Sequence, residues 1–502
     1  MNYGLNPLVL VTFFPLVGFV IIAFLKNEHK NAIRWVALVT ALITFALSLW
    51  MLGKFDPKNP NLQMQINLWW LYAAGMRVNF QMGVDGLSIL MVLLTTFLSP
   101  IVILSTWSAI EERVKGFMLF FLLLEVGMTG VFLSLDLVLF YIFWEFTLIP
   151  MYFLIGIWGS ARRIYAAVKF FLFTMAGSVL MLVAIFFMGL RAGTFSFTDL
   201  VANRQLFADM QLWLFLAFAI AFAIKVPMWP LHTWLPDAHV EAPAAGSVIL
   251  AGVLLKMGTY GFLRFNLALF PEMALKAAPY IAVLAVIGIL YGAAVSYGQK
   301  DVKKLVAYSS VSHLGFVMLG IFALNPQGIS GGVLQMVNHG LSTGALFLIV
   351  GMLYERRHSR ALADFGGLWK TLPVLGTISL VVTLSSVGLP GLNGFVGEFT
   401  ILLGGFHSEA IGTPWITGAA TVGVILAAVY LLYMFEKVFL GPIRHEENRK
   451  LPDLNWREIV ILVPIVVMIF WIGLYPKPFF ELLNPTVENL VALVKTAAVA
   501  MH

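Results

Sequence analysis

The chain has 502 residues, of which 60% are hydrophobic and only 11% charged, and its mean hydropathy is +0.92. A soluble domain carries about 25% charged residues, so a water-soluble multidomain enzyme is excluded, as is a disordered chain, which is poor in apolar residues. The 31 Lys and Arg are scattered through short loops with no basic stripe, so the net charge of +6 is no nucleic-acid signal. The sequence contains no cysteine, which excludes thiolate-held iron–sulfur clusters, disulfide scaffolds and CxxC zinc sites within it. The first apolar run follows an N-terminus without a basic residue, and a second run comes soon after, so no cleavable signal is expected. These features predict an all-α polytopic membrane protein.

A bilayer crossing needs about 20 mostly apolar residues in a helix, because lipid offers the backbone no hydrogen-bonding partner. Fourteen stretches qualify: 8–25, 33–53, 86–106, 117–134, 136–157, 168–189, 212–234, 244–264, 279–298, 305–323, 331–353, 373–404, 415–435 and 458–476. Asp136 marks the tight turn that divides the fourth from the fifth. The seventh contains Pro227 and Pro230, and the twelfth is overlong and broken around Pro390. Loops after odd-numbered spans hold 19 of the 31 Lys and Arg, against 9 in the loops after even-numbered spans and the tail. The positive-inside rule then puts both termini outside and the odd-numbered loops in the cytoplasm.

The long outer loop 54–85 alternates Leu62, Met64, Ile66 and Leu68 with Gln63, Gln65 and Asn67. Arg77, Asn79 and Gln81 then alternate with Val78, Phe80, Met82 and Val84. Period-2 alternation in two runs predicts a small outer β-hairpin. It reads either as a clasp for a neighbouring subunit or as an irregular loop on the protein's own surface. In the tail, Val487, Leu490, Val491 and Val494 at helical spacing predict a short interfacial helix that does not cross.

An ionised side chain at mid-membrane costs at least about 2.5–3.5 kcal/mol, which makes each one a functional candidate. Glu145 lies in the fifth span, Lys225 midway in the seventh and Lys256 central in the eighth. His313 and His339 lie in the tenth and eleventh, and Glu398 follows the break in the twelfth. Glu125 is mid-fourth span and has no assigned role. The structural alternative is a set of buried ion pairs and hydrogen-bonded histidines that only fix packing, which apolar residues do at lower cost. Pro227 and Pro230 free the carbonyls of Ala223 and Val226 on either side of Lys225, and Pro390 frees that of Ser386. Two interrupted helices five spans apart point to an internal repeat and a midplane ion path. Gln335, Asn338, Ser342 and Thr343 form a polar stripe with His339, and Ser309 and Ser312 flank His313. Such stripes line water or make interhelical hydrogen bonds.

These residue types suit proton transfer. Burial disfavours the charged form of a lysine and a nearby carboxylate favours it. At about 4 Å and an effective dielectric near 20 that attraction is worth about 4 kcal/mol before desolvation. A lysine whose carboxylate approaches or withdraws is therefore a proton switch, and histidine suits relay positions. The residues alone thus suggest that Glu145 modulates Lys225, that Lys256 and the two histidines relay, and that Glu398 is the exit.

At these positions the sequence resembles the M-type antiporter-like membrane subunits of proton-pumping NADH–quinone oxidoreductase, respiratory complex I, which are homologous to mitochondrial subunit four. The stretches that carry the resemblance are VDGLS at 84–88, FWEFTLIPMYFLIGIWG at 143–159, KVPMWPLHTWLPDAH at 225–239, AGSVILAGVLLKMGTYG at 245–261, VAYSSVSHLGF at 306–316 and GLPGLNGFVGEF at 388–399. A glutamate at Glu398, where sister subunits more often place lysine or aspartate, fits the M type. The resemblance implies Glu145 and Lys225 as a regulating pair, Lys256 and His313 as the central relay, His339 as a further member and Glu398 as the terminal group. It implies two inverted five-helix repeats, spans 4–8 and 9–13, with helices 7 and 12 broken. The chain then divides into 1–116 with the hairpin at 60–85, the bundles 117–265 and 279–440, and 441–502 with the last span and tail.

The resemblance further implies a multi-pass protein of the bacterial cytoplasmic membrane. It would work beside adjacent antiporter-like subunits and with peripheral subunits that hold the flavin and iron–sulfur clusters. This chain would have no cofactor, no metal and no redox step of its own. The competing readings are a large subunit of a multisubunit cation/proton antiporter, a cytochrome-b-like haem protein with His313 and His339 as axial ligands, and a structural scaffold.

Overall fold

Apolar runs of this length must satisfy their own backbone groups, and in lipid the helix is the local way to do so. The computed structural model describes residues 6–73 and 76–499. Among the described residues, twelve helices are long and apolar enough to cross a membrane: Pro7–Phe24, Lys30–Lys54, Gly86–Ala109, Val114–Leu133, Leu137–Trp158, Arg163–Ala192, Ala244–Leu269, Pro271–Tyr297, Val302–Phe322, Pro326–Arg357, Pro414–Phe439 and Trp456–Leu474. Each coincides with one expected span. The two remaining stretches, the seventh with Pro227 and Pro230 and the twelfth with Pro390, hold the shorter apolar helices Gln211–Lys225 and Pro373–Val387.

Each short helix ends at a break followed by a second helix, Trp234–Glu241 after the first and Asn393–Phe406 after the second. At the first break the carbonyl of Ala223 that Pro227 leaves free is taken by the N–H of Met228 at 2.8 Å. The indole of Trp234 donates to the carbonyl of Ile224 at 2.9 Å. At the second, Gly388 and Gly391 adopt φ of +86° and +91°, a left-handed backbone that favours glycine.

Two sets of loops are sewn together at opposite ends of the helices. At one end the strands Gln63–Ala73 and Met76–Val84 pair antiparallel, with Leu68 opposite Phe80 and Trp69 opposite Asn79. The hairpin is tied down: the N–H of Leu135 donates to the carbonyl of Gln81, that of Asn79 to Asp136 Oδ2, and Arg77 bridges to Thr194. At the other end Lys30 reaches the carbonyl of Glu111, Ser160 and Arg162 donate to Glu241, and Leu362 donates to Lys300. Loops after even-numbered predicted spans thus meet on the hairpin face, and loops after odd-numbered ones on the opposite face.

The helix Ala244–Leu269 is wholly buried, and Val302–Phe322 and Pro326–Arg357 nearly so. Peripheral helices expose Val20, Trp35, Leu172, Ile425 and Val467, as lipid-facing surfaces do. Inside Ala244–Leu269 the hydrogen bonding widens to π-turns at Leu250–Leu254 and Phe262–Asn266, a local irregularity frequent at functional sites. The tail differs from the expected short interfacial helix. It runs Lys477–Val499, and its apolar stripe of Val487, Leu490, Val491 and Val494 is buried against the protein. Thr486 accepts from the N–H of Gly86, and Ser330 donates to Asn484. The periodicity gave the helix, and the neighbouring helices took the face assigned to lipid.

Candidate functional site

Lys256 sits between the two π-turns, fully buried. The first π-turn leaves the carbonyl of Ala251 to accept from Lys256 Nζ. Lys256 Nζ also lies 2.6 Å from His339 Nδ1. A lone pair and a shared hydrogen at that distance let the proton belong to either residue.

From His339 the ring of His313 lies 6.1 Å away, centroid to centroid. His313 Nδ1 is 2.9 Å from Glu398 Oε1, and His313 Nε2 is 3.1 Å from the hydroxyl of Tyr430. Gln335 donates to the same Glu398 oxygen at 3.1 Å, and Asn338 donates to Gln335 Oε1 and to the carbonyl of Asn393. Ser342, Ser385 and Asn393 close a second ring of hydrogen bonds beside it. Gly397 makes this approach possible, because a Cβ there would stand 2.2 Å from Gln335 Oε1. A polar cavity of about 10 Å³ lies among His313, His339, Gln335, Asn338 and Thr343, close to the least volume that holds one water. The stripe around His339 is thus a hydrogen-bonded network. Ser309 turns back to its own helix and Ser312 to the carbonyl of Ile289.

The Lys225 region is built otherwise. Its ammonium is buried with no protein hydrogen-bond partner, 5.2 Å from the Trp144 ring and 5.7 Å from that of Phe170. Glu145 is half-buried, its Oε1 also has no partner, and no ion pair joins it to Lys225. Glu125 is fully buried with both oxygens unpartnered, and no hydrogen bond ties it to the other six residues.

Three residues join this set that the sequence reading left out. Tyr430 holds the far nitrogen of His313, as described. His239 is fully buried against the Phe347 ring at 4.5 Å, and neither of its nitrogens has a partner. Lys303 is buried too, its ammonium 2.5 Å from the carbonyl of Ala242. The signal for His239 in the sequence is the PDAH segment at 236–239, which puts a His near the end of the helix Trp234–Glu241 that follows the first break.

Among the described residues no three His, Cys, Asp or Glu cluster to hold a metal ion. Both ring nitrogens of His313 are engaged by Glu398 and Tyr430, and a cavity of about 10 Å³ cannot admit a porphyrin. The geometry therefore opposes the axial-ligand reading. A groove of about 620 Å³ between Tyr297, Trp369 and Tyr433 is lined by none of the candidate residues.

The family described as NADH:quinone oxidoreductase/Mrp antiporter, TM, matches residues 134–427. The NADH-quinone oxidoreductase subunit M of Rhodobacter capsulatus is 47% identical over 97% of this chain and 96% of its own length. A chain of respiratory complex I from Thermus thermophilus superposes with a TM-score of 0.86 at 33% identity, covering 97% of this chain and 99% of that one. A chain of the Mrp complex from Dietzia sp. shares the fold, with a TM-score of 0.84 at 20% identity over 98% of this chain and 100% of that one.

Proposed function

We propose a function from a premise of kinship: this chain belongs to the NADH:quinone oxidoreductase/Mrp antiporter transmembrane family, and it acts as a proton-translocating membrane subunit of an NADH:quinone oxidoreductase of the respiratory complex I type. NADH oxidation and quinone reduction take place in partner subunits, which hold the flavin and iron–sulfur clusters, while this chain carries protons without a cofactor of its own. It lies in the cytoplasmic membrane beside other antiporter-like subunits.

The observation that supports this reading best is the contact of Lys256 with His339, because it brings the buried lysine to a histidine whose ring lies 6.1 Å from that of His313, the residue that meets Glu398. In this scheme Glu145, half-buried at the edge of the bundle, sets the charge of Lys225. Lys256, His339 and His313 relay, with Glu398 as the terminal group. His239 joins Lys303 on the opposite face to Lys256. Buried polar atoms without a protein partner are where water completes the hydrogen bonding, and Lys225 Nζ, His239, His339 Nε2 and Glu398 Oε2 are four such points.

The chain crosses fourteen times in this reading, with the broken helices as crossings 7 and 12. The hairpin links to Thr194 and Glu241 links to Ser160, so the segment between them has its ends on opposite faces. The bundles 117–265 and 279–440 are the two inverted repeats, flanked by 1–116 and 441–502. The hairpin face and both termini are outside, and the hairpin serves as the clasp for a neighbour.

The test uses the assembled complex in proteoliposomes, measuring NADH oxidation and proton uptake together. Lys256→Ala is expected to lower the protons moved per NADH, and an unchanged ratio overturns the scheme. A second reading, a large subunit of a cation/proton antiporter, follows from the fold shared with the Mrp complex chain. Copurification with flavin-bearing partners and NADH-driven pumping separate the two.

A further inference from the structure

On the hairpin face a cavity of about 160 Å³ runs inward from Asn61 and Asn489, which are exposed, to Asp85 and Arg264, which are buried. It has room for about five waters at ~30 Å³ each. Its inner end is a closed cluster. Arg264 Nη2 donates to Asp85 Oδ1 at 2.6 Å and Arg264 Nε to the Tyr260 hydroxyl at 3.0 Å. That hydroxyl donates to the carbonyl of Phe132 at 2.8 Å. Asp85 also accepts from the N–H groups of Leu87 and Ser88, capping its helix. Burial alone pushes the Asp85 carboxyl up, and the Arg264 guanidinium reverses this and holds it below the usual carboxylate range.

Lys256, Tyr260 and Arg264 follow one another at four-residue spacing on the buried helix Ala244–Leu269. Eight residues at about 1.5 Å each put Arg264 about 12 Å along the helix from Lys256, with the tyrosine between them. Resting on the proton-translocation reading above, we propose that Asp85, Arg264 and Tyr260 determine the sidedness of transfer. The cluster closes the hairpin-face cavity off from Lys256, so that a proton on Lys256 leaves sideways to His339 and not straight outward.

The chemistry of the three residues fits a seal. A guanidinium does not release its proton in a protein, so Arg264 cannot relay one. Tyr260 has a single hydroxyl hydrogen, and it is committed to Phe132 while Arg264 occupies the acceptor side. No proton wire therefore passes the ring. Asp85 balances the guanidinium, which lets a buried cation stay in place.

The decisive measurement is passive proton flux in proteoliposomes of the assembled complex under an imposed pH gradient without NADH. Asp85→Asn with Arg264→Gln removes both charges while leaving a polar side chain at each position. Losing the ion pair opens the closed cluster and removes the guanidinium that cannot pass a proton on, so leak in the double variant is expected to rise severalfold above the parent. Adding Lys256→Ala should suppress that leak. An assembled double variant as tight as the parent overturns the seal, and so does a leak that persists without Lys256.

Accessibility gives a second readout that needs no charge change. The chain has no cysteine of its own, so Leu493→Cys in the cavity wall should react with a membrane-impermeant thiol reagent from the hairpin side, and Met257→Cys beside Lys256 should be protected. Equal reaction rates overturn the proposal. Lys256→Ala alone distinguishes the two failures: normal pumping in that variant removes the translocation reading, whereas a tight double variant in a complex that needs Lys256 removes only the seal.

Discussion

The surroundings of Lys225 and of Lys256 answer the same problem in opposite ways. Lys225 is enclosed by the rings of Trp144 and Phe170, and its ammonium has no hydrogen-bonding protein partner. Lys256 touches His339, whose ring lies 6.1 Å from that of His313, and His313, Glu398, Gln335, Asn338 and Tyr430 are linked to one another at 2.9–3.1 Å. A buried cation held only by ring faces is stabilised by about 2 kcal/mol, less than its desolvation costs. Its charge therefore depends on what approaches it. A group inside a connected network has a partner for either protonation state. The contrast teaches that one residue type can be left without partners or supplied with them, and on the proposed route the first suits a switch and the second a conductor.

Mutations can break or sharpen this contrast. The largest effect is expected for Lys225→Ala and Lys256→Ala, each lowering NADH-driven proton uptake at least about tenfold, the equivalent of about 1.4 kcal/mol on the transfer barrier. Lys225→Arg separates them from a pure charge requirement. It keeps the cation but cannot deprotonate, so pumping should stay lost if Lys225 switches. Glu145→Gln comes next. Because the carboxylate acts through space, Glu145→Asp should retain much of the activity that Gln loses, as read by protons per NADH. Trp144→Leu removes a ring face worth up to about 2 kcal/mol. It should shift the pH at which pumping is half-maximal while leaving assembly intact. Tyr430→Phe is the mildest: losing one hydrogen bond to His313 costs about 0.5–1.5 kcal/mol, a few-fold slower uptake. A Tyr430 variant worse than the Lys225 variants would reverse the contrast.

Much of the seam was legible because charge at membrane depth stands out against apolar spans. Glu145, Lys225, Lys256 and Glu398 announce themselves by type, and Pro227, Pro230 and Pro390 mark both breaks by their missing N–H. What stayed hidden lacks such a signal. Tyr430 reads as one more aromatic in an apolar helix. Asp85 and Arg264 are 179 positions apart and sit at helix ends, where charges are ordinary, so their pairing appears only in three dimensions. The π-turns around Lys256 leave no mark in a run that is hydrophobic on all sides. The tail's stripe gave its helix but not what covers it, because amphipathic spacing is the same whether the apolar side meets lipid or protein.

The step from Lys256 to His339 has an electrical corollary. Both residues lie in the middle of their helices, so a proton passed between them moves parallel to the bilayer plane. A full crossing against 100 mV requires about 2.3 kcal/mol per charge, but displacement along the plane traverses almost none of that field. On the proposed route the membrane voltage therefore loads the vertical legs at either end, and the horizontal exchange in between runs at nearly constant potential. Back-pressure from an energised membrane should slow uptake and release while leaving the internal hand-over almost untouched.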